Sequence, residues 1–475
     1  MRIKLVDIGP IRSADIELTP LTVFVGLNNA GKSFAATVIY AALSSSQIRQ
    51  PASTVRSHRT VDAQLRHLRS TLALFEFIQD NKETKTLAEL PGIPPNLRQV
   101  LEEQIDQDFE DYREGIAAAL TRATGVPELG QLRRHQHQKR ATRGQLTIEC
   151  QDPDLVIEVK IGPAKPKITI SKPDFEDAWK QLWASEQLLS PRQGNPMHLS
   201  LEFTPEALTR ACFKEFPVHV SYLPAARSGL MQSHRVLVES LIRRSSLAGL
   251  EDMRVPAMSG VIADFLGEMV AGDPDRRGDF QDEADQLERD ILGGTIELER
   301  LPSGIQSEFV YRSPAGDFPL RRTSSMVAEL APIAIYLRQI LRVGDLLIIE
   351  EPEAHLHPSN QVLLAQLLVR LVRSGKLKVI VTTHSEFFLQ QLNNSLVAGN
   401  LNEPAAASAS YAKDLRLTPS AAAAYHFEVT PTGTNVSRLD ITPREGIVET
   451  SFDKVTEDLY NESVALDRQL DAETE

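Results

Sequence analysis

Leu21-Thr22-Val23-Phe24-Val25-Gly26-Leu27-Asn28-Asn29-Ala30-Gly31-Lys32-Ser33 is the stretch on which the fold turns. Leu21 to Val25 reads as a strand buried on both faces, and it runs directly into G-x-x-x-x-G-K-S. A helix is expected from Lys32 to Ala42, because Ala35, Ala36, Val38, Ile39, Ala41 and Ala42 supply small and apolar contacts for a sheet. Strand, glycine loop and helix in that order form a phosphate-binding loop. Gly26 and Gly31 let the backbone curl until successive N–H groups of Leu27, Asn28, Asn29 and Ala30 point inward, and the helix start adds its dipole. Lys32 then places a positive charge on the β- and γ-phosphates of ATP, and the Ser33 hydroxyl is a ligand for Mg²⁺. An incidental glycine turn is the bland alternative, and the position between an apolar strand and a helix weighs against it.

Two further strand ends extend the site. Leu346 to Ile349 is an apolar run closed by Glu350 and Glu351. Carboxylates at the carboxyl edge of a parallel sheet lie where open α/β sheets bind their ligands. One can hold the Mg²⁺ shell while the other orients and deprotonates water. Val379 to Thr383 is another buried run, ending at His384, which is placed to sense a γ-phosphate. His355 and His357 invite a metal reading, but local residues do not complete a tetrahedral set.

The remainder of the 475 residues bounds the answer. A net charge of −13 argues against a whole-surface nucleic-acid binder, though not against a local basic patch. No stretch approaches the roughly 20 uninterrupted apolar residues that a membrane span needs, and no secretory signal is read at the start, so a cytoplasmic protein is expected. Cys150 and Cys212 are read as buried thiols rather than a disulfide framework. The fold class expected is α/β, a mixed sheet with flanking helices carrying an inserted, mostly helical arm.

The expected divisions are 1–45 for the first ATPase segment, 46–145 for the arm, 146–320 for a strand lobe with a helical segment, 321–400 for the second ATPase segment, and 401–475 for a strand pair and a helix. Residues 175–290 read as mostly helical, and one helix is expected from Met326 to Arg342. The D-x-D pairs Asp106/Asp108, Asp152/Asp154 and Asp273/Asp275 read as solvated loops. Arg133 to Arg143 holds five Lys/Arg and no acid, as a solvated face or a phosphate-contacting docking surface would.

The order GLNNAGKS, long insertion, TSSMVAELAP, LLIIEEPEAHLHP, VIVTTHS is similar to the ABC-type ATPases of the SMC, RecF and OLD group. More narrowly, it resembles the stand-alone ATPase subunits of phage-defence pairs of the PARIS type, whose partner is a Toprim nuclease. The resemblance covers about 1–45 and 215–390. It implies that Glu350 takes the metal position, Glu351 is the general base and His384 is the switch histidine. It also implies that Ser324 and Ser325 form a signature element, completing a partner's site across a head-to-tail ATP-sandwich dimer or higher homo-oligomer. Glu350 stands where Asp is commoner, and TSSMV lacks the glycines of the transporter signature LSGGQ.

The residues after His384 are too few for a Toprim domain, so a separate effector protein is expected, with DNA as a further possible partner. The alternative is a DNA-repair or chromosome-structure ATPase of the RecF or SMC type, acting directly on DNA. An ABC transporter lobe ranks third, since the signature and the arm fit it poorly.

Overall fold

The computed structural model describes residues 1–44, 69, 72–73, 76, 93–133, 143–152, 154–162, 166–177, 179, 205–233, 258–270, 276–300, 307–402, 408–409, 411–449 and 451–474. In chain order the main elements are β1 (Arg2–Ile8), β2 (Ile11–Glu17), β3 (Leu21–Gly26), α1 (Lys32–Ser44) and α2 (Pro95–Thr124). Next come β4 (Gly144–Gln151), β5 (Asp154–Ile161), β6 (Lys167–Ser171), α3 (Pro205–Cys212) and β7 (Val220–Leu223). After α4 (Gly260–Val270) and α5 (Gln281–Leu287) follow β8 (Thr295–Arg300), β9 (Ser307–Ser313), β10 (Gly316–Pro319) and α6 (Ser325–Ile335). The chain closes with β11 (Leu346–Glu350), α7 (Pro358–Arg373), β12 (Lys378–Thr382), α8 (Glu386–Gly399), β13 (Ala422–Thr430), β14 (Gly433–Leu439) and α9 (Ser451–Thr474). Two compact units divide these elements: Met1–Arg12 with Thr37–Val220, and Ser13–Ala36 with Ser221–Glu475.

The first unit holds an antiparallel sheet in the order β6-β5-β4-β1. Its register sets Ile3 opposite Ile148 and Ile148 opposite Ile157, so one face collects the apolar side chains. Leu97, Leu101, Ile105, Phe109, Tyr112, Ile116 and Leu120 form the buried stripe of α2 at helical spacing. Phe109 and Tyr112 pack on Phe213 with ring centroids 5.1 and 5.2 Å apart. Asp106 and Asp108 therefore lie on a helix rather than in a loop. Asp106 pairs with Lys172, while Asp108 is buried and accepts from Gln104 and from the Thr209 hydroxyl. Asp154 opens β5 and Asp152 pairs with Lys214 at 2.8 Å. Cys150 and Cys212 are buried free thiols, and burial pushes the Cys212 thiol up to about 12.

In the second unit the sheet runs β2-β14-β13-β3-β12-β11-β7 and is mixed. β3 lies parallel to β12 and to β13, β12 is parallel to β11, and β13 to β14 is antiparallel. This is the α/β class expected, with α6, α7 and α8 contributing to its apolar core. Two expectations need correction. The span 175–290 is interrupted by β7, whose four residues are too short for periodicity to reveal. The helix expected to run to Arg342 is regular only to Ile335. Pro332 lies inside it, and a wider π turn covers Tyr336–Ile340.

Of the basic run, 134–142 lies outside the described residues; Arg133 forms an isolated bridge with Ile8. Asp273 and Asp275 also lie outside them, as do 46–68, 70–71, 74–75 and 77–92 of the expected arm. Among the described residues no helix is long and apolar enough to cross a membrane.

Candidate functional site

β3 delivers its last residue, Gly26, at φ +136, where an added Cβ would stand 2.6 Å from the Phe427 carbonyl oxygen on β13. Only glycine fits there, and the loop leaves the strand at that point. Asn29 and Gly31 also adopt positive φ, and the curl brings the chain round to the start of α1. Leu27, Asn28 and Asn29 are exposed while Ala30 is buried. Lys32 is the first residue of α1, and its Nζ donates to the carbonyls of Gly26 and Leu27, each at 2.9 Å. Burial lowers its pKa to about 8, against the opposing pull of Glu351 and Glu353.

Parallel pairing aligns three strand ends. Glu350 lies opposite Thr382, and Thr382 opposite Phe24, so β11, β12 and β3 finish side by side. Glu350 is buried; its carboxylate accepts from the Tyr222 hydroxyl and, at 3.0 Å, from the Ala225 N–H. The same Tyr222 hydroxyl lies 3.5 Å from the Ser33 carbonyl oxygen, which brings Ser33 and Glu350 to one place. Glu351 is partly exposed and has φ +43. A non-glycine residue there costs about 1–3 kcal/mol and persists only where its surroundings hold it. Its N–H donates to the Thr382 carbonyl at 2.9 Å, and Arg227 donates to its carbonyl oxygen at 3.0 Å.

His384 Nε2 stands 3.9 Å from Glu351 Oε1. Burial and then the charge of Lys32 hold its pKa below the usual histidine value, with Glu351 opposing. Its backbone N–H donates to Glu353 Oε1 at 2.7 Å, which also accepts from the Thr383 hydroxyl at 2.7 Å. Burial pushes the Glu353 carboxyl above the usual range, and its Oε2 has no hydrogen-bond partner among the described residues.

Lys32, Glu351 and His384 thus form one cluster beside the glycine loop, with Ser33 and Glu350 next to it. Hard oxygen donors at Ser33 and Glu350 suit Mg²⁺, which takes one or two protein oxygens and completes its shell with phosphate and water. Ser324 and Ser325 behave differently. Ser324 caps α6, its hydroxyl accepting from Val327 N–H at 3.4 Å, and both serines are exposed. Among the described residues no hydrogen bond or ion pair joins them to Gly26–Ser33. His355 and His357 hold no metal cluster among the described residues; the His357 ring instead accepts from Ser359 N–H at the start of α7.

Tyr222, Ala225, Arg227, Glu329 and Glu353 were not anticipated. Glu353 sits within the quoted EEPEAHLHP segment, and its spacing from Glu351 was the available signal. Tyr222 lies in the four-residue β7, with Ala225 and Arg227 just after it, and the segment carries no motif that periodicity or spacing would detect.

Residues 283–389 match the family described as an AAA ATPase domain. That span takes in Ser324, Ser325, Glu350, Glu351 and His384 but not the glycine loop. No curated protein matches the chain. Among solved structures it is similar to an Smc head bound to the C-winged helix domain of ScpA, at 11% identity and TM-score 0.40 over 92% of this chain and 97% of that one. It is also similar to the SMC head domain from Thermotoga maritima, at 10% identity and TM-score 0.37 over 93% and 98%. A third is an Smc head domain with an extended coiled coil bound to the C-terminal domain of ScpA, derived from Pyrococcus furiosus. There the identity is 10% and the TM-score 0.39, over 97% and 98%.

Proposed function

We propose that this chain binds ATP with Mg²⁺ and hydrolyses it to ADP and phosphate. The observation that carries the reading is the convergence of Lys32, Glu351 and His384 at three adjacent strand ends beside the glycine loop. The backbone of Gly26 to Ser33 cradles the phosphates, and Lys32 exchanges its two loop carbonyls for phosphate oxygens. Ser33 and Glu350 would hold Mg²⁺, which when bound would supply positive charge to the phosphate oxygens. Glu351 is the general base for the attacking water, and His384 donates to the γ-phosphate. The exposure of Ser324 and Ser325 at a helix N-terminus supports their role as a surface offered to the nucleotide of a second copy.

We further propose a motor or sensor role in which turnover gates a separate effector of nuclease type in phage defence; the order of motifs along the chain fits it and the following alternative alike. The alternative is an SMC- or RecF-type ATPase acting directly on DNA. Stimulation of turnover by duplex DNA alone favours the alternative; stimulation only by a partner protein favours gating.

Lys32→Ala is expected to weaken ATP binding at least about 100-fold, since a buried charge–phosphate contact is lost. Mixing this variant with the Ser324→Ala/Ser325→Ala double variant is expected to restore part of the turnover, because one composite site in the mixed dimer keeps both intact halves. Wild-type ATP affinity in Lys32→Ala would remove the nucleotide site from this loop. An absence of rescue at every mixing ratio would place the whole site within one chain.

A further inference from the structure

Arg227 is fully buried, although arginine is among the residues least often found inside a protein. Its guanidinium has five N–H donors, and the structure holds it with four hydrogen bonds to carbonyl oxygens and one ion pair. Nε donates to the Glu329 carbonyl at 3.2 Å. Nη1 donates to the Pro224 carbonyl at 3.2 Å and the Glu350 carbonyl at 2.5 Å. Nη2 donates to the Glu351 carbonyl at 3.0 Å and meets Glu329 Oε1 at 2.5 Å. Glu329 lies on α6 and is itself fully buried, so the pair neutralises its charge out of water.

What this fork grips is the carbonyl of each of the two peptide groups that flank the Glu351 Cα. Those two carbonyls fix the plane of the residue whose left-handed φ aims the Glu351 side chain. The Glu351 N–H is held separately by Thr382. Arg227 therefore closes the second half of the clamp that the strained conformation requires. Tyr222 and Ala225, from the same short segment, hold the neighbouring Glu350 carboxylate, so one run of six residues governs both acids.

We propose that Arg227 is a positioning residue for hydrolysis: through the carbonyls of Glu350 and Glu351 it sets the direction of the Glu351 carboxylate, with Glu329 as the counter-ion that keeps it in place. This rests on the assignment of Glu351 as general base. Lysine cannot do the same work, because three donors on one nitrogen cannot span two successive carbonyls and a carboxylate in a plane.

Two variants test the proposal. Arg227→Met with Glu329→Met removes both charges and leaves neither unpaired, a change that buried pairs commonly tolerate. Arg227→Lys keeps the charge but loses the fork. Thermal unfolding, KM for ATP and kcat are measured for both and for the wild type. The expected result is a cooperative fold, KM within about threefold of wild type, and kcat lower by at least about tenfold, as loss of aim without loss of binding requires.

Wild-type kcat in either folded variant overturns the proposal. So does failure of both to fold, which would make the guanidinium a requirement of the core alone. A rise in KM with kcat unchanged overturns it as well, since that pattern belongs to nucleotide binding. If the wild type itself turns over no ATP, the ATPase reading is what fails, and the role of Arg227 falls with it.

Discussion

The two compact units use their sheets in opposite ways. In the unit of Ser13–Ala36 and Ser221–Glu475, β3 is buried at all but its last residue and β11 at every residue. In the unit of Met1–Arg12 and Thr37–Val220, β1 and β5 alternate, with Lys4, Glu149 and Glu158 on the solvated side of their strands. A sheet covered on both faces leaves little room for charged side chains along its strands, so they gather at the strand ends. Gly26, Glu350, Glu351 and His384 stand at or just past such ends. Among the described non-glycines with positive φ, Asn29, Glu351 and His355 belong to this unit and Asp7 to the other. The antiparallel sheet spreads its charges into part-buried pairs along its strands instead. The candidate site lies where a buried sheet runs out.

The largest effect that should separate the units comes from one added methyl group. Gly26→Ala sets a Cβ 2.6 Å from a backbone oxygen at φ +136, which is expected to cost about 3 kcal/mol or more through overlap and strain. Gly125→Ala, after α2, meets nothing within 4 Å and faces only the left-handed φ of +72, about 1 kcal/mol. Denaturant midpoints of the two variants would break the comparison if they shifted equally.

A smaller effect is expected in pH dependence. The free Lys32 amine titrates near 8, and bound phosphates must raise that value because they favour the ammonium. Binding above pH 8 therefore takes up a proton. ATP affinity is expected to fall about tenfold per pH unit from pH 8 upward and to be flat with respect to this group below pH 7. Titration calorimetry between pH 7 and 9.5, in buffers of different ionisation enthalpy, reads the proton directly. Affinity that rises with pH would contradict the sign.

The smallest effect belongs to the antiparallel sheet. Lys4→Met breaks an ion pair of 2.6 Å to Glu149 that remains about one-third exposed on both sides. Solvent screening limits the loss to about 0.2–1 kcal/mol, with ATP turnover unchanged. A drop in turnover would show that the solvated sheet is not separable from the chemistry.

Continuous apolar runs made β3, β11 and β12 legible in the sequence, because burial on both faces writes itself as unbroken hydrophobicity. The glycine loop was legible for the same reason that it fits: its backbone needs glycine at fixed offsets. Non-local facts were not. β13 was read as one of a final strand pair, but its parallel seat beside β3, which sets Phe427 against Gly26, joins residues 401 positions apart. Asp108 reads as a loop residue because a D-x-D pair looks solvated, whereas its partners Gln104 and Thr209 lie on a helical turn and on α3. Arg227 was invisible because its counter-ion is 102 positions away and its backbone acceptors carry no residue signature.

Glu351→Gln tests the central claim most directly. The amide keeps the size of the side chain and the backbone held by Thr382 and Arg227, and removes only the base. ATP affinity is predicted to stay within about threefold of wild type while kcat falls at least about 100-fold. Turnover near the wild-type rate, with binding intact, would contradict the assignment of Glu351 as the group that activates water.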